Sequence, residues 1–442
     1  MRPIPGRRRS ARYAAIKPFP PLRRIAFAQA IDGDRHRRSA SPQRPKISLT
    51  LKLSSEGPSL KYGVNGPALP QELLEYAMGF IQDRWTLHWI SLVSQALLVV
   101  ARRELFRECY VMSHRNGRSL ADFVEFVDQC SWCTGLIQSL YLRCKIKPVQ
   151  FCEVVSKLPA LRRISMVMAS IDVDHNSLPP LPSTNRELET LVFTFIQSSG
   201  ITSCIPALYL ASLFRSINHL TMEAGPAPRL PPSETARIIS QLPFRRTKIS
   251  AFTFFSSGLT PDVNHVQRLA ESLIQILDLR NFTSLMIPVW PIDAYGPSIV
   301  FTRSVSRTTR YLTIELNSAG EDLSGDRTWT LLEFSTFSAL EEIRFEFVVQ
   351  DDRAEVWAVA AALLSQFNPT QLIPLVTFAT RFPQRYFERI DWTRLQTALN
   401  MLDIQKIQFL FGGYPSAELE TVRQRIMGKM PGMRHELVVL RD

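Results

Sequence analysis

From residue 137 to residue 439 the chain repeats one apolar figure, and that figure limits the folds open to it. Apolar residues recur at i, i+3 and i+5 in Ile137/Leu140/Leu142, Leu161/Ile164/Met166, Leu188/Leu191/Phe193 and Ile217/Leu220/Met222. The figure continues in Ile249/Phe252/Phe254, Phe282/Leu285/Ile287, Leu340/Ile343/Phe345, Ile373/Val376/Phe378 and Ile404/Ile407/Phe409. Leu312/Ile314 and Leu437/Val439 keep its last two positions only. The central residues fall 24 to 33 positions apart, and ten intervals cover 297 residues. Short strand-like stretches at this interval alternate with apolar runs of helical period at 205–217, 234–242, 263–279, 353–367, 391–402 and 417–427. One strand and one helix about every 30 residues predicts an α/β chain of parallel strands alternating with helices. An irregular leucine-rich-repeat-like solenoid of about eleven units over residues 113–442 satisfies that spacing. The asparagine that usually follows such strands occurs only at Asn317, so the repeat has no asparagine ladder. If the repeating positions face a core, the residues between them face the other way. That alternation predicts a second face bearing Ser139, Tyr141, Arg143, Arg163, His219, Glu223, Tyr311, Glu315, Glu342, Arg344 and Glu346. Glu315, Glu342 and Glu346 would meet beside Tyr311, with Arg143 and Arg163 at the opposite, basic end.

Upstream, residues 69–106 (LPQELLEYAMGFIQDRWTLHWISLVSQALLVVARRELF) carry more apolar surface than so short a piece can hide. Leu69, Leu73, Leu74, Met78 and Ile81 follow the helical period, with Pro70 in a first turn. Asp83, Arg84 and Thr86 interrupt it; Leu87, Ile90, Val93, Leu97 and Val100 open a second amphipathic run that should end at Arg102-Arg103-Glu104. Ser119 and Asp122 mark a further helix start, leading through 123–129.

The 69–106 run resembles an F-box of the fungal type. The likeness rests on Leu69-Pro70, Glu72-Leu73-Leu74, the apolar helix to Ile81, Ser91-Leu92-Val93, Ala101-Arg102-Arg103 and Leu105-Phe106. Ser94 and Leu97 stand where the family has Cys and Trp, and each keeps a small or a bulky apolar character. An F-box followed by degenerate leucine-rich repeats is a familiar architecture of that family. The resemblance implies a substrate-recognition subunit of a cullin-RING (SCF-type) ubiquitin ligase, acting in ubiquitin-dependent degradation in the cytoplasm or nucleus. Its partners would be a Skp-family adaptor with its cullin complex, and an unidentified protein substrate. Leu69, Pro70, Leu73, Leu74, Met78, Leu92, Val93 and Leu97 would divide between the adaptor contact and internal helix packing. The expected organisation is a disordered basic arm and linker at 1–66, an F-box-like helical segment at 67–112 and the repeat region at 113–442.

The chain carries a net charge of +12, and residues 1–60 hold 14 Lys+Arg against 3 Asp+Glu, so the arm accounts for +11 of it. The near-neutral body excludes a globular nucleic-acid-binding domain and leaves weak polyanion binding to the arm. Its Arg, Pro and Ser composition without apolar periodicity predicts disorder, and its prolines break the helix a transit peptide needs. No apolar run is long enough for a membrane span.

Cys130-Ser-Trp-Cys133, Cys144 and Cys152 form one thiol pair and two outliers, where zinc modules present paired knuckles, so free core thiols and no metal are expected. Asp172-Val-Asp174-His175 precedes a Pro-rich stretch and predicts a solvated loop. Trp132, Trp290, Trp329, Trp357 and Trp392 lie among apolar neighbours and are expected in the core. None of the phosphate-loop, dinucleotide, zinc-protease or serine-elbow motifs occurs, so neither enzyme chemistry nor a cofactor is expected. Two alternatives remain beside the receptor: an interaction scaffold without adaptor binding, and a small-molecule enzyme of compact α/β fold.

Overall fold

A computed structural model describes residues 71–81, 83–92, 95–112, 119–172, 185–194, 197–198, 205–224, 246–256, 271–288, 295–316, 333–347, 355–380, 384–412 and 415–441. The arm and linker, and the expected helix at 234–242, lie outside these residues.

Three short helices come first: α1 (Gln71–Gly79), α2 (Arg84–Ser91) and α3 (Gln95–Arg107). Asp83 starts α2 as an N-cap, its carboxylate accepting hydrogen bonds from the Thr86 backbone N–H at 2.8 Å and the Thr86 hydroxyl at 2.6 Å. The polar break in the sequence is therefore a cap. The second amphipathic run holds two helices, α2 stopping at Ser91 and α3 beginning at Gln95, so that with α1 the segment has the three short helices its length allows. Nor do Arg102, Arg103 and Glu104 end it, since α3 continues to Arg107.

At Arg107 the chain passes directly into β1 (Glu108–Met112), inside the segment expected to be wholly helical. A large mixed α/β body follows. Its strands are β2 (Ser139–Arg143), β4 (Arg163–Val167), β6 (Glu187–Thr194), β8 (Ser216–Ala224), β9 (Thr247–Ser256), β11 (Ser284–Pro288), β12 (Tyr311–Glu315), β13 (Glu342–Phe347), β14 (Leu372–Thr380), β15 (Asp403–Phe411) and β16 (Glu436–Arg441). With β1 at one edge they form a parallel sheet in chain order, and the two-residue β10 (Leu277–Asp278) pairs with β9. Three further two-residue strands, β3 (Lys145–Ile146), β5 (Ser170–Ile171) and β7 (Gln197–Ser198), make a second parallel ladder just past β2, β4 and β6. Met168 takes a positive φ of 52° between β4 and β5, an unusual conformation for a side chain of its size.

The register settles the meaning of the repeat. Leu140, Ile164, Leu191, Leu220, Phe252 and Leu285 pair in sequence across the sheet. Leu312, Ile343, Val376, Ile407 and Leu437 continue the same row. Cys109 of β1 adds a further member at the start. All of them are buried, in one continuous core running from Cys109 to Leu437. Burying each such side chain contributes on the order of 1.5–3 kcal/mol, so the row is a main source of the body's stability.

Helices cover the core side of the sheet. Helix α4 (Leu120–Gln129) opens on a capping box, with the Ser119 hydroxyl accepting from the Asp122 N–H and the Asp122 carboxylate accepting from the Ser119 N–H. Helix α5 (Pro148–Lys157) starts with Pro148 at its first turn and buries Phe151, Cys152, Val154 and Val155. Helix α6 (Ile205–Ala211) is shorter than the apolar run 205–217, which takes in a turn and the start of β8. Later helices at Tyr295–Val305, Glu355–Leu364, Trp392–Asn400 and Leu419–Lys429 alternate with the strands. The helical run expected at 263–279 ends by residue 276, because Leu277 and Asp278 pair with β9.

Candidate functional site

The three N-terminal helices hold a small core of their own. Met78, Leu87, Val100 and Ala101 are buried together, and Ile81, Ile90 and Leu105 pack around them. The Arg84 guanidinium donates to the Leu105 carbonyl at 2.6 Å and the Glu108 carbonyl at 3.1 Å, tying α2 to the junction of α3 and β1. On the other side of α3, Arg102 lies over the Trp132 ring at 4.7 Å and Phe106 meets the same ring edge-on at 5.1 Å. Trp132 was expected in the core; it is 49% exposed and serves as a surface bracket between α3 and the turn after α4.

Outside that core, two apolar stripes face solvent. Leu73, Tyr76 and Phe80 lie at i, i+3 and i+7 along α1 and its end, with the Tyr76 and Phe80 rings 4.8 Å apart. Trp85, Trp89 and Leu92 lie at i, i+4 and i+7 along α2 and its end, and the two tryptophans are 58% and 64% exposed. Of the residues expected to share adaptor contact and packing, Leu73 and Leu92 are exposed, whereas Met78 is buried and cannot reach a partner. Leu97 is half-buried and Leu74 belongs to α1. Leu69, Pro70 and Val93 lie outside the described residues. The sequence reading passed over Tyr76, Phe80, Trp85 and Trp89. Their spacing of three and four residues, offset from Met78 and Leu87, is the signal that separates an outer stripe from an inner one.

The sheet face away from the helices carries the second set of candidates. Tyr110 and Tyr141 stack at 4.5 Å with planes 8° apart, and the Tyr110 hydroxyl donates to Glu108 at 3.3 Å. Burial, then the Glu108 carboxylate, pushes the Tyr110 hydroxyl above its ordinary range. Arg143 is exposed on β2, while Arg163 pairs with Glu189 at 3.1 Å. His219 Nε2 lies 2.7 Å from Thr253 Oγ1, and Glu223 belongs to β8.

Further along, the register does bring Tyr311 beside Glu342 and Glu315 beside Glu346. The expected acidic patch is nevertheless partly neutralised. Arg344 forms an ion pair with Glu346 at 2.7 Å, the Thr377 hydroxyl donates to Glu342 at 2.9 Å, and the Tyr311 hydroxyl donates to Glu341 at 2.9 Å. Tyr311 is thus held by its own chain, and Ser139 is buried. Seven strand intervals separate β2 from β13, roughly 34 Å, so these candidates form a spread surface and not a single pocket.

A cleft of about 490 Å³ opens at the N-terminal ends of β11, β12 and β13, lined by Asn281, Phe282, Thr283, Thr308, Ala339 and the ion-paired Arg280, Arg310 and Glu341. Cys133 donates to the Cys130 carbonyl at 3.0 Å and lies near Cys109, whereas Cys144 is buried just past β2 and Cys152 in α5. Burial pushes Cys109 up to about 12 and Cys133, Cys144 and Cys152 up to about 11. Among the described residues no three His, Cys, Asp or Glu side chains gather in a metal-holding group. Asp172 pairs with Lys145 at 2.9 Å, and the rest of its sequence cluster lies outside the described residues. Among the described residues no helix is long and apolar enough to cross a membrane. No protein-family model matches the chain, and no curated protein matches it in sequence.

Proposed function

We propose that this chain is the substrate-recognition subunit of a cullin-type ubiquitin ligase. In this reading α1–α3 are an F-box that docks a Skp-family adaptor. The in-register strands with their helices are leucine-rich-repeat-like units, and their open face holds the target. The protein makes and breaks no bond itself; it raises the concentration of target beside a charged ubiquitin.

The observation that carries the reading is the pair of exposed stripes, Leu73/Tyr76/Phe80 and Trp85/Trp89/Leu92, on helices whose inner faces already have a core. Contiguous apolar surface rich in aromatic residues marks a protein contact, and an adaptor interface of ordinary size buries on the order of 1,600 Å² in total. Binding of the purified full chain to a Skp-family adaptor, measured by calorimetry at micromolar concentrations, tests it. Leu73→Asp with Trp89→Asp should abolish binding while the melting temperature holds. An intact chain that ignores the adaptor leaves the interaction-scaffold reading, which the replacement of the family's Cys and Trp by Ser94 and Leu97 favours.

A further inference from the structure

We propose that the N-terminal rim of the sheet, from β4 to β12, binds an extended acidic polypeptide segment. The parallel arrangement sets the start of every strand on one edge, so charges scattered through the sequence collect there. Backbone hydrogen bonds order that edge: the Arg215 N–H donates to the Arg186 carbonyl at 2.8 Å, the Lys248 N–H to Arg215 at 3.1 Å, and the Arg310 N–H to Thr283 at 2.8 Å.

Among the described residues, Arg215, Arg246, Lys248 and Arg307 are exposed or largely so and have no ion-pair partner. Arg186 spends its guanidinium on two neutral acceptors, the Leu158 carbonyl at 2.6 Å and the Ser156 carbonyl at 3.1 Å, so its charge stays uncompensated. Glu189 alone serves both Arg162 and Arg163. The Asp278 carboxylate, which faces Lys248 in the strand pairing, is already held by Arg280 at 2.6 Å. Among the described residues, Glu187 is an exposed rim acid with no ion pair to offset this surplus. A near-neutral body thus concentrates positive charge along one edge.

Five strand intervals separate β4 from β12, about 24 Å. An extended segment laid across the strand ends covers that distance with about seven residues, each alternate side chain turned to the rim. The cleft at the far end of the track presents the Asn281 side-chain amide, while the Thr283 and Thr308 hydroxyls already donate to the Ser250 and Val305 carbonyls. A polypeptide fits better than a nucleic acid. Glu187, Glu189 and Glu341 interrupt the cations where a regular phosphate backbone would meet them. Among the described residues the nearby rings give no stacking platform, since Phe282 is buried and Tyr311 is tied to Glu341. This surface is independent of α1–α3, so it stands or falls apart from adaptor binding.

The test is fluorescence anisotropy on the full chain with a labelled ten-residue peptide alternating Glu and Ser, at low and high salt. R215E/R246E/K248E should weaken binding about tenfold, and R394E/R434E/R441E, an equal charge change elsewhere, less than about twofold. Affinity should also fall steeply with salt. Equal losses from the two triple variants would overturn the proposal, because bulk charge and the basic arm would then explain the binding. So would a single-stranded RNA of ten nucleotides that binds more tightly than the peptide and loses as much on rim reversal. If charge reversal lowers the melting temperature, the glutamine variants R215Q/R246Q/K248Q carry the same comparison.

Discussion

Asp278 shows how a single side chain reports on the fold around it. It is nearly buried in β10, and its carboxylate takes two hydrogen bonds from the Arg280 side chain, at 2.9 and 2.6 Å. The Arg280 bonds outweigh desolvation and hold its pKa at about 2, below the ordinary carboxylate value. A carboxyl depressed by folding stabilises the native state above its unfolded pKa and loses that contribution as pH falls through the folded value. Asp278→Asn should therefore cost about 1 kcal/mol near neutrality, a modest figure because Arg280 lies largely in water. Urea melts should show the gap between wild type and variant narrowing below about pH 4 and closing near pH 2. A gap unchanged with pH would mean the carboxylate matters by shape and not by charge. The thiols make a second residue-scale case. Burial raises Cys109, Cys133, Cys144 and Cys152, so little thiolate forms at neutral pH. Iodoacetamide followed by peptide mass spectrometry should leave these four unmodified in the native chain and alkylate them in denaturant.

At the scale of elements, the later strands share an aromatic column. Phe378 stacks on Phe345 at 5.4 Å and on Phe409 at 5.0 Å, and Trp357 of the helix Glu355–Leu364 lies 5.6 Å from it. Phe378→Ala removes the middle of that column and should cost about 3–5 kcal/mol, whereas Phe378→Leu, which keeps most of the volume, should cost far less. At the other end of the body, Ser119→Ala removes one arm of the α4 capping box and should cost about 1 kcal/mol, read from the denaturation midpoint. These elements differ in how far the sequence alone exposed them. The strand row was legible because its i+3 residues, from Leu140 to Leu437, are apolar in every unit and buried in one row, and the α4 start because Ser119 and Asp122 stand at box spacing. Strand β1 was not: Glu108 follows Arg107 directly, so no glycine or proline marks the change from α3, and it offers the core only Cys109 and Val111. Helix α6 was read too long because Leu213, Phe214 and Ile217 keep apolar spacing beyond its end. In α1 and α2 spacing separates two apolar stripes, but apolar character on both gave no sign that the one holding Met78 and Leu87 is buried and the one holding Tyr76, Trp85 and Trp89 is not. On the open sheet face alternation gave neither the ion pair of Arg344 with Glu346 along one strand nor the Tyr311–Glu341 bond between neighbouring strands, both of which depend on side-chain reach.

Considered as a whole, the described molecule has two apolar cores of very different size. One runs unbroken beneath the sheet from Cys109 to Leu437; the other comprises four buried residues among α1–α3. Each strand of the body hydrogen-bonds its neighbour, so opening one unit exposes the apolar faces of two others, and the body resists local unfolding as an array does. The helices α1 and α2 have no such neighbour. They are held by the small core, by Arg84 on the Leu105 and Glu108 carbonyls, and by the run of α3 into β1. Segments with few buried apolar contacts open at the lowest free energy. Native-state hydrogen exchange should therefore release the amides of α1 and α2 well before those of β8, β9, β14 and β15, and Met78→Ala should speed the first group while leaving the second unchanged. Uniform protection across the chain would show instead that the helices and the sheet unfold together. The same measurement bears on the proposed adaptor. A partner seated on Leu73, Tyr76, Trp85 and Trp89 adds the apolar cover these helices lack, so its binding should slow exchange in α1 and α2 by the binding free energy and leave the sheet as it was.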